Sequence, residues 1–123
     1  MSRNVAIVIL FLISSCTLLK NKPKLELSSY TYDFGSIIKD TSYTGSVILR
    51  NIGDTLLHVE DISVGCSCSK ATLSKYDIQP GDTSLLTFTY STLGKKGKQE
   101  NYIMIEANTD SLIHVLQINA SIK

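Results

Sequence analysis

Thr83-Ser84-Leu85-Leu86-Thr87-Phe88-Thr89-Tyr90 puts Ser84, Leu86, Phe88 and Tyr90 at alternate positions, with Thr83, Leu85, Thr87 and Thr89 between them. Successive side chains of a strand leave opposite faces, so the first set forms an apolar face centred on Phe88 and the second a hydroxyl-rich face. The Thr and aromatic content also suits a half-buried pleated surface. Phe88 is therefore expected in the core of a β protein.

The surrounding sequence repeats that pattern. Gln79-Pro80-Gly81-Asp82 reads as a turn into this strand, because Pro presets φ and Gly accepts positive φ. Upstream, Ser42 to Asn51 carries Tyr43, Gly45, Val47 and Leu49 on one face, and Asn51-Ile52-Gly53-Asp54 supplies hairpin-turn residues before a run from Leu57 to Val64. Leu25 and Leu27 alternate with Glu26 and Ser28 in a first strand. Downstream, Gly94 to Gly97 breaks the chain, and Tyr102 to Ala107, the Asn108-Thr109-Asp110 turn and Leu112 to Ile122 make a last hairpin. No stretch holds apolar residues at helical spacing. An all-β, immunoglobulin-like sandwich of about seven strands is expected.

The amino terminus reads differently. Arg3 precedes nine apolar residues, Val5 to Ile13, a run too short to span a bilayer as a helix but suited to a cleaved secretory signal. Ile13-Ser14-Ser15-Cys16 resembles the bacterial lipobox, in which the signal is cut before the cysteine and the cysteine sulfur receives a lipid. Residues 1–15 are thus expected to be a lipoprotein signal peptide, residues 16–24 the lipidated Cys16 with a short polar tether, and residues 25–123 the folded domain. The membrane would be met through the lipid on Cys16, on the exported, envelope side.

Cutting 15 of 123 residues leaves 108, enough for one core, and loss of Arg3 brings 12 Lys and Arg to 11, matching 11 Asp and Glu. Such balance gives no field for nucleic acid. The basic run Lys95-Lys96-Gly97-Lys98 reads as a solvated loop. There is no Gly-x-Ser-x-Gly elbow, phosphate loop or His-Glu-x-x-His, so no enzyme and no cofactor is expected. Glu60 and Asp61 are adjacent, and on a regular strand would face opposite ways.

Cys66 and Cys68 carry the remaining chemistry. On a straight strand their α-carbons would lie about 6.6 Å apart, at the upper edge of disulfide geometry, so a bond needs a bend that Gly65 could help provide. Three readings stand: two structural thiols, bonded or not; a redox pair with Lys70 as the nearby cation; or a soft Cu(I) or zinc site completed from His58, His114 and Met104. Each histidine, flanked by apolar residues, also reads as a strand-surface side chain. Asp54-Thr55-Leu56 and Asp110-Ser111-Leu112 resemble an O-glycosylation acceptor triplet, with Thr55 and Ser111 as the acceptors.

Five pieces recur in order: Tyr32-Asp33-Phe34-Gly35-Ser36-Ile37, Leu49-Arg50-Asn51-Ile52-Gly53, Leu57-His58-Val59-Glu60-Asp61-Ile62, Gly65-Cys66-Ser67-Cys68 and Ile78-Gln79-Pro80-Gly81-Asp82. Together they resemble the bacterial DUF1573 family, over about residues 25 to 122. The resemblance implies an immunoglobulin-like domain related to ASH and Hydin-type modules, common in exported proteins of Bacteroidetes, with no established activity. Where the family usually has Cys-Gly-Cys-Thr, this chain has Cys66-Ser67-Cys68-Ser69. The expected function is a lipid-anchored, non-enzymatic binding or spacer module contacting another envelope protein, and the alternative is an exported thiol-redox or Cu(I)-handling protein built on Cys66 and Cys68.

Overall fold

The computed structural model describes residues 21–123. The expected signal peptide, Cys16 and the first part of the expected tether lie outside the described residues. Nine strands follow one another: β1 (Leu25–Leu27), β2 (Thr31–Ile37), β3 (Ser42–Asn51), β4 (Leu57–Val64), β5 (Ser69–Leu73), β6 (Asp77–Ile78), β7 (Thr83–Ser91), β8 (Gly97–Ala107) and β9 (Ile113–Ile122). They form two sheets, ordered β1-β3-β7-β5 and β2-β9-β8-β4-β6. All pairings are antiparallel except β2 with β9. The protein is an all-β sandwich, and the described residues contain no helix long and apolar enough to cross a membrane.

Alternation in β7 works as its sequence demands. Ser84, Leu86, Phe88 and Tyr90 are buried, and Phe88 is 1% exposed. The aromatic core gathers on Phe88 and on Phe34 from the other sheet: Tyr32 meets Phe88 edge-on at 5.0 Å between centroids, and Phe34 lies 6.2 Å from Tyr90. Gly45 pairs with Phe88 across β3 and β7. A Cβ there would come within 2.7 Å of the Tyr32 ring, so only glycine lets that ring lie over β3. Gly35, at φ +73°, allows the bulge between Asp33 and Ser36 that keeps both Phe34 and Ile37 turned inward.

Three expectations are corrected. There are nine strands rather than about seven, the additions being short or irregular. Asn51 to Asp54 does not close a hairpin, because β3 and β4 belong to different sheets and this segment crosses between them. Glu60 and Asp61 do not face opposite ways: a bulge between Val59 and Asp61 leaves both exposed. The Gln79–Asp82 turn does form, with Gly81 at φ +80° and the Asp82 amide donating to the Gln79 carbonyl at 2.9 Å.

The two ends of the sandwich differ. At one, residues 22–24 dock on the crossing segment through Ile52 N to Lys24 O at 2.9 Å and Asp54 N to Lys22 O at 3.1 Å. Gly53 permits this approach, since a Cβ would sit 2.6 Å from the Lys24 nitrogen. The last part of the expected tether is thus held against the fold. At the other end, β4 turns into β5 through the two cysteines.

Candidate functional site: the cysteine rim

β4 ends at Val64, and the Gly65 amide is fixed on the Tyr102 carbonyl at 3.0 Å. The chain then folds back, with Ser69 N donating to Cys66 O at 3.1 Å and Ser91 N to Cys68 O at 2.9 Å. This turn brings the Cys66 and Cys68 α-carbons to 5.2 Å, and their sulfurs are bonded. The straight-strand spacing of about 6.6 Å does not apply, because the cysteines occupy a turn. Ser67 adopts no positive φ there, so the turn does not require glycine at that position.

The bridge is half-buried. Cys68 packs against the cluster of Ile37, Tyr90, Ala120 and Ile122, while Ser67 stands exposed at the tip. Beside it opens a groove of about 550 Å³, lined by Ser42, Ser67, Lys70, Leu93 and Lys95 as well as both cysteines. Lys95 comes from the basic run expected as a plain loop, whose last two residues, Gly97 and Lys98, instead open β8. Chemically the rim offers an oxidised sulfur pair, hydroxyls and two ammonium groups. Bonded sulfurs are neither thiolate nucleophiles nor metal ligands, so any such chemistry requires prior reduction.

The other candidate residues are elsewhere. His58 sits at the opposite end of β4 from the cysteines, with Nδ1 2.5 Å from Asp77 Oδ1. His114, on β9, places Nε2 2.8 Å from Thr109 Oγ1; that hydroxyl donates to the Ser111 carbonyl at 2.6 Å, so the ring nitrogen is the donor. Burial lowers the His114 pKa from its ordinary 6.5, opposed by its hydrogen bond with the Ser111 backbone. Met104 is exposed on the outer face of β8. Among the described residues no group of three or more His, Cys, Asp and Glu is arranged around a common ion position.

Thr55 and Ser111 both lie at the end away from the cysteines. Thr55 is half-buried in the crossing segment and Ser111 is exposed in the β8–β9 turn. Lys22 joins the two triplets, its backbone nitrogen 2.8 Å from Asp54 Oδ1 and its Nζ 2.6 Å from Asp110 Oδ2. That carboxylate raises the lysine's pKa through the hydrogen bond and the charge pairing.

Two anchoring residues carried no sequence signal for their roles. Thr92, fully buried after β7, accepts from Thr41 N at 3.0 Å and reaches the Ile38 and Thr41 carbonyls. Asn51 is fully buried at the other end, and its side chain holds four backbone groups. Both look like ordinary turn residues in sequence; only their burial distinguishes them.

A sequence model of the DUF1573 family, described as a protein of unknown function, matches residues 25–122. No curated protein matches the chain by sequence. Among solved structures, a protein of unknown function from Porphyromonas gingivalis W83 superposes with a TM-score of 0.73 at 18% identity, over 87% of this chain and 51% of that one. This chain therefore spans about half the length of that relative. The ASH/PapD-like domain 7 of human CEP192 superposes with a TM-score of 0.55 at 14% identity, over 90% of this chain and 95% of that one. The secreted serine protease VesC of Vibrio cholerae gives 0.60 at 12% identity, over 84% of this chain but 23% of that one. These likenesses show an immunoglobulin-like, PapD-like fold.

Proposed function

The chain belongs to the DUF1573 family, and from that premise we propose that it is a lipid-anchored, non-enzymatic module of the bacterial envelope that binds another envelope protein at its cysteine rim. The observation that carries this reading is the polarity of the sandwich. Residues 22–24, which lead from Cys16, are docked at one end, and the Cys66–Cys68 turn closes the other. An anchor at Cys16 would therefore leave the rim facing away from the membrane. The bridge fixes the turn, and Ser67, Lys70, Leu93 and Lys95 give it hydroxyl, cationic and apolar contacts suited to a protein surface.

Two experiments test the two halves of the proposal. Cys16→Ser should abolish incorporation of labelled fatty acid and release the protein from membranes without detergent; labelling equal to wild type would refute the anchor. A photo-crosslinking residue at Ser67 should give discrete adducts in intact cells, while the same residue at Ile52, at the docked end, should give none. Adducts from Ile52 alone would place the contact at the wrong end. The thiol-handling alternative predicts that these adducts persist after Cys66→Ser, Cys68→Ser while dithiol-dependent reduction or Cu(I) retention is lost.

A further inference from the structure

The outer face of the second sheet holds a groove of about 560 Å³ that lies outside the cysteine rim. This volume falls within the range of small-ligand sites, roughly 300 to 1,000 Å³. Its lining comes from three strands: Asp33 on β2, Gln117 and Asn119 on β9, and Lys98 and Glu100 on β8. Gly35, at the β2 bulge, lines the same groove and faces open space, since a Cβ added there would meet nothing within 4 Å.

The polar groups are positioned and only partly used. Asp33 Oδ1 accepts from Gly35 N at 2.8 Å, and Gln117 Nε2 donates to Asn119 Oδ1 at 3.0 Å. Those bonds fix the side chains and leave Asp33 Oδ2, Gln117 Oε1 and Asn119 Nδ2 for a ligand. Tyr102 stands directly across from Gln117 in the β8–β9 register and is 42% exposed. It flanks the groove and does not line it, and its hydroxyl donates to the lining residue Glu100, two residues along the same strand, which directs the ring along the sheet towards the groove's edge.

We propose that this groove binds a neutral oligosaccharide, with Tyr102 as the stacking platform and Asp33, Glu100, Gln117 and Asn119 as partners for its hydroxyls. A sugar hydroxyl both donates and accepts, which matches acceptor-only carboxylates set beside amides that offer both functions. An aromatic face with a negative quadrupole attracts the C–H edge of a pyranose ring. The carboxylates of Asp33 and Glu100 outnumber the single Lys98 ammonium, so a uronate, sulfated or phosphorylated glycan meets net repulsion. The ligand class goes beyond the module function proposed above and does not use the disulfide.

Calorimetric titration of the purified full chain with cellohexaose, laminarihexaose, maltohexaose and chitohexaose tests the proposal, with hexagalacturonate as the anionic comparison. At least one neutral hexaose should bind. Tyr102→Ala and Asn119→Ala should each weaken it about tenfold at unchanged melting temperature, and Tyr102→Phe, which keeps the ring but loses the bond that lays it along the sheet, should weaken it less than Tyr102→Ala does. Absence of binding by all four at about 10 mM, equal binding by both alanine variants, or hexagalacturonate binding as tightly as the neutral sugars would each overturn the assignment.

Discussion

Asn51 lies fully buried at the end of β3 with its amide completely satisfied. Nδ2 donates to the Thr55 and Ile78 carbonyls at 2.8 and 2.9 Å, and Oδ1 accepts from Gly53 N at 2.9 Å and Lys24 N at 3.5 Å. One side chain thus ties the docked segment, the crossing segment and β6 to the first sheet. Asn51→Ala strands these groups without partners and should cost about 3 kcal/mol in chemical denaturation. Asn51→Asp, which aims a carboxylate at two carbonyls, should be at least as damaging at neutral pH and recover in part in acid; a loss below about 1 kcal/mol for the alanine variant would show that the amide does not hold this end together. Tyr90 presents the opposite case. Its hydroxyl is buried without a hydrogen-bond partner among the described residues, so Tyr90→Phe removes an uncompensated desolvation penalty. Tyr90→Phe should match or exceed wild-type stability, by up to about 1 kcal/mol, in the same measurement.

The β4–β5 turn is the element whose chemistry was hardest to read. The bridge spans only two residues in sequence, and a loop that short removes little chain entropy, about 1.5 kcal/mol in the simple loop-closure treatment. Cys66→Ser, Cys68→Ser should therefore lower stability by roughly that amount and leave a folded domain; failure to fold would mean that the bridge also holds the rim enthalpically. Alternation makes β3, β7 and β9 legible, because each buries one face over nine residues or more, whereas β8 buries only Ile103, Ile105 and Ala107, so its unburied first half, Gly97 to Asn101, carries no such signal. β2 escaped because Gly35 breaks its period of two, and β6 because two residues carry no period at all. The crossing after β3 was mistaken for a hairpin because Asn51, Ile52 and Gly53 have the right chemistry for a tight turn. What they do instead depends on residues 22–24 arriving against Gly53, a contact across the chain that local composition does not encode. Likewise straight-strand spacing does not apply to the two cysteines, because the backbone bonds to Tyr102 and Ser91 that bend the chain there come from β8 and β7, far away in sequence.

At the scale of the whole molecule, stability should depend on pH through His114 just below neutrality and through Asp82 in stronger acid. Burial lowers the His114 pKa, so the folded chain binds its proton less readily than the unfolded chain does. The stabilisation is complete above about pH 6.5 and is lost as pH falls below that towards the folded value. The melting temperature should decline between about pH 7 and 5, and His114→Gln should flatten that interval; an unchanged slope in the variant would assign the decline to other groups. Asp82, whose pKa is lowered chiefly by its hydrogen bond to Lys75, adds a separate loss below its ordinary 3.8, because its carboxylate is favoured in the fold. The parallel pairing of β2 with β9 bears on how the chain comes to be folded. β2 has no other neighbour in its sheet, and β3 to β8 all lie between it and β9 in the sequence. As a ribosome delivers the chain from its amino end, Tyr32 and Phe34 emerge early and wait, without a hydrogen-bonded partner strand, until β9 follows. The sandwich cannot assemble strand by strand on delivery; β2 joins its sheet only after β9 is available, through contacts of long sequence separation that form slowly.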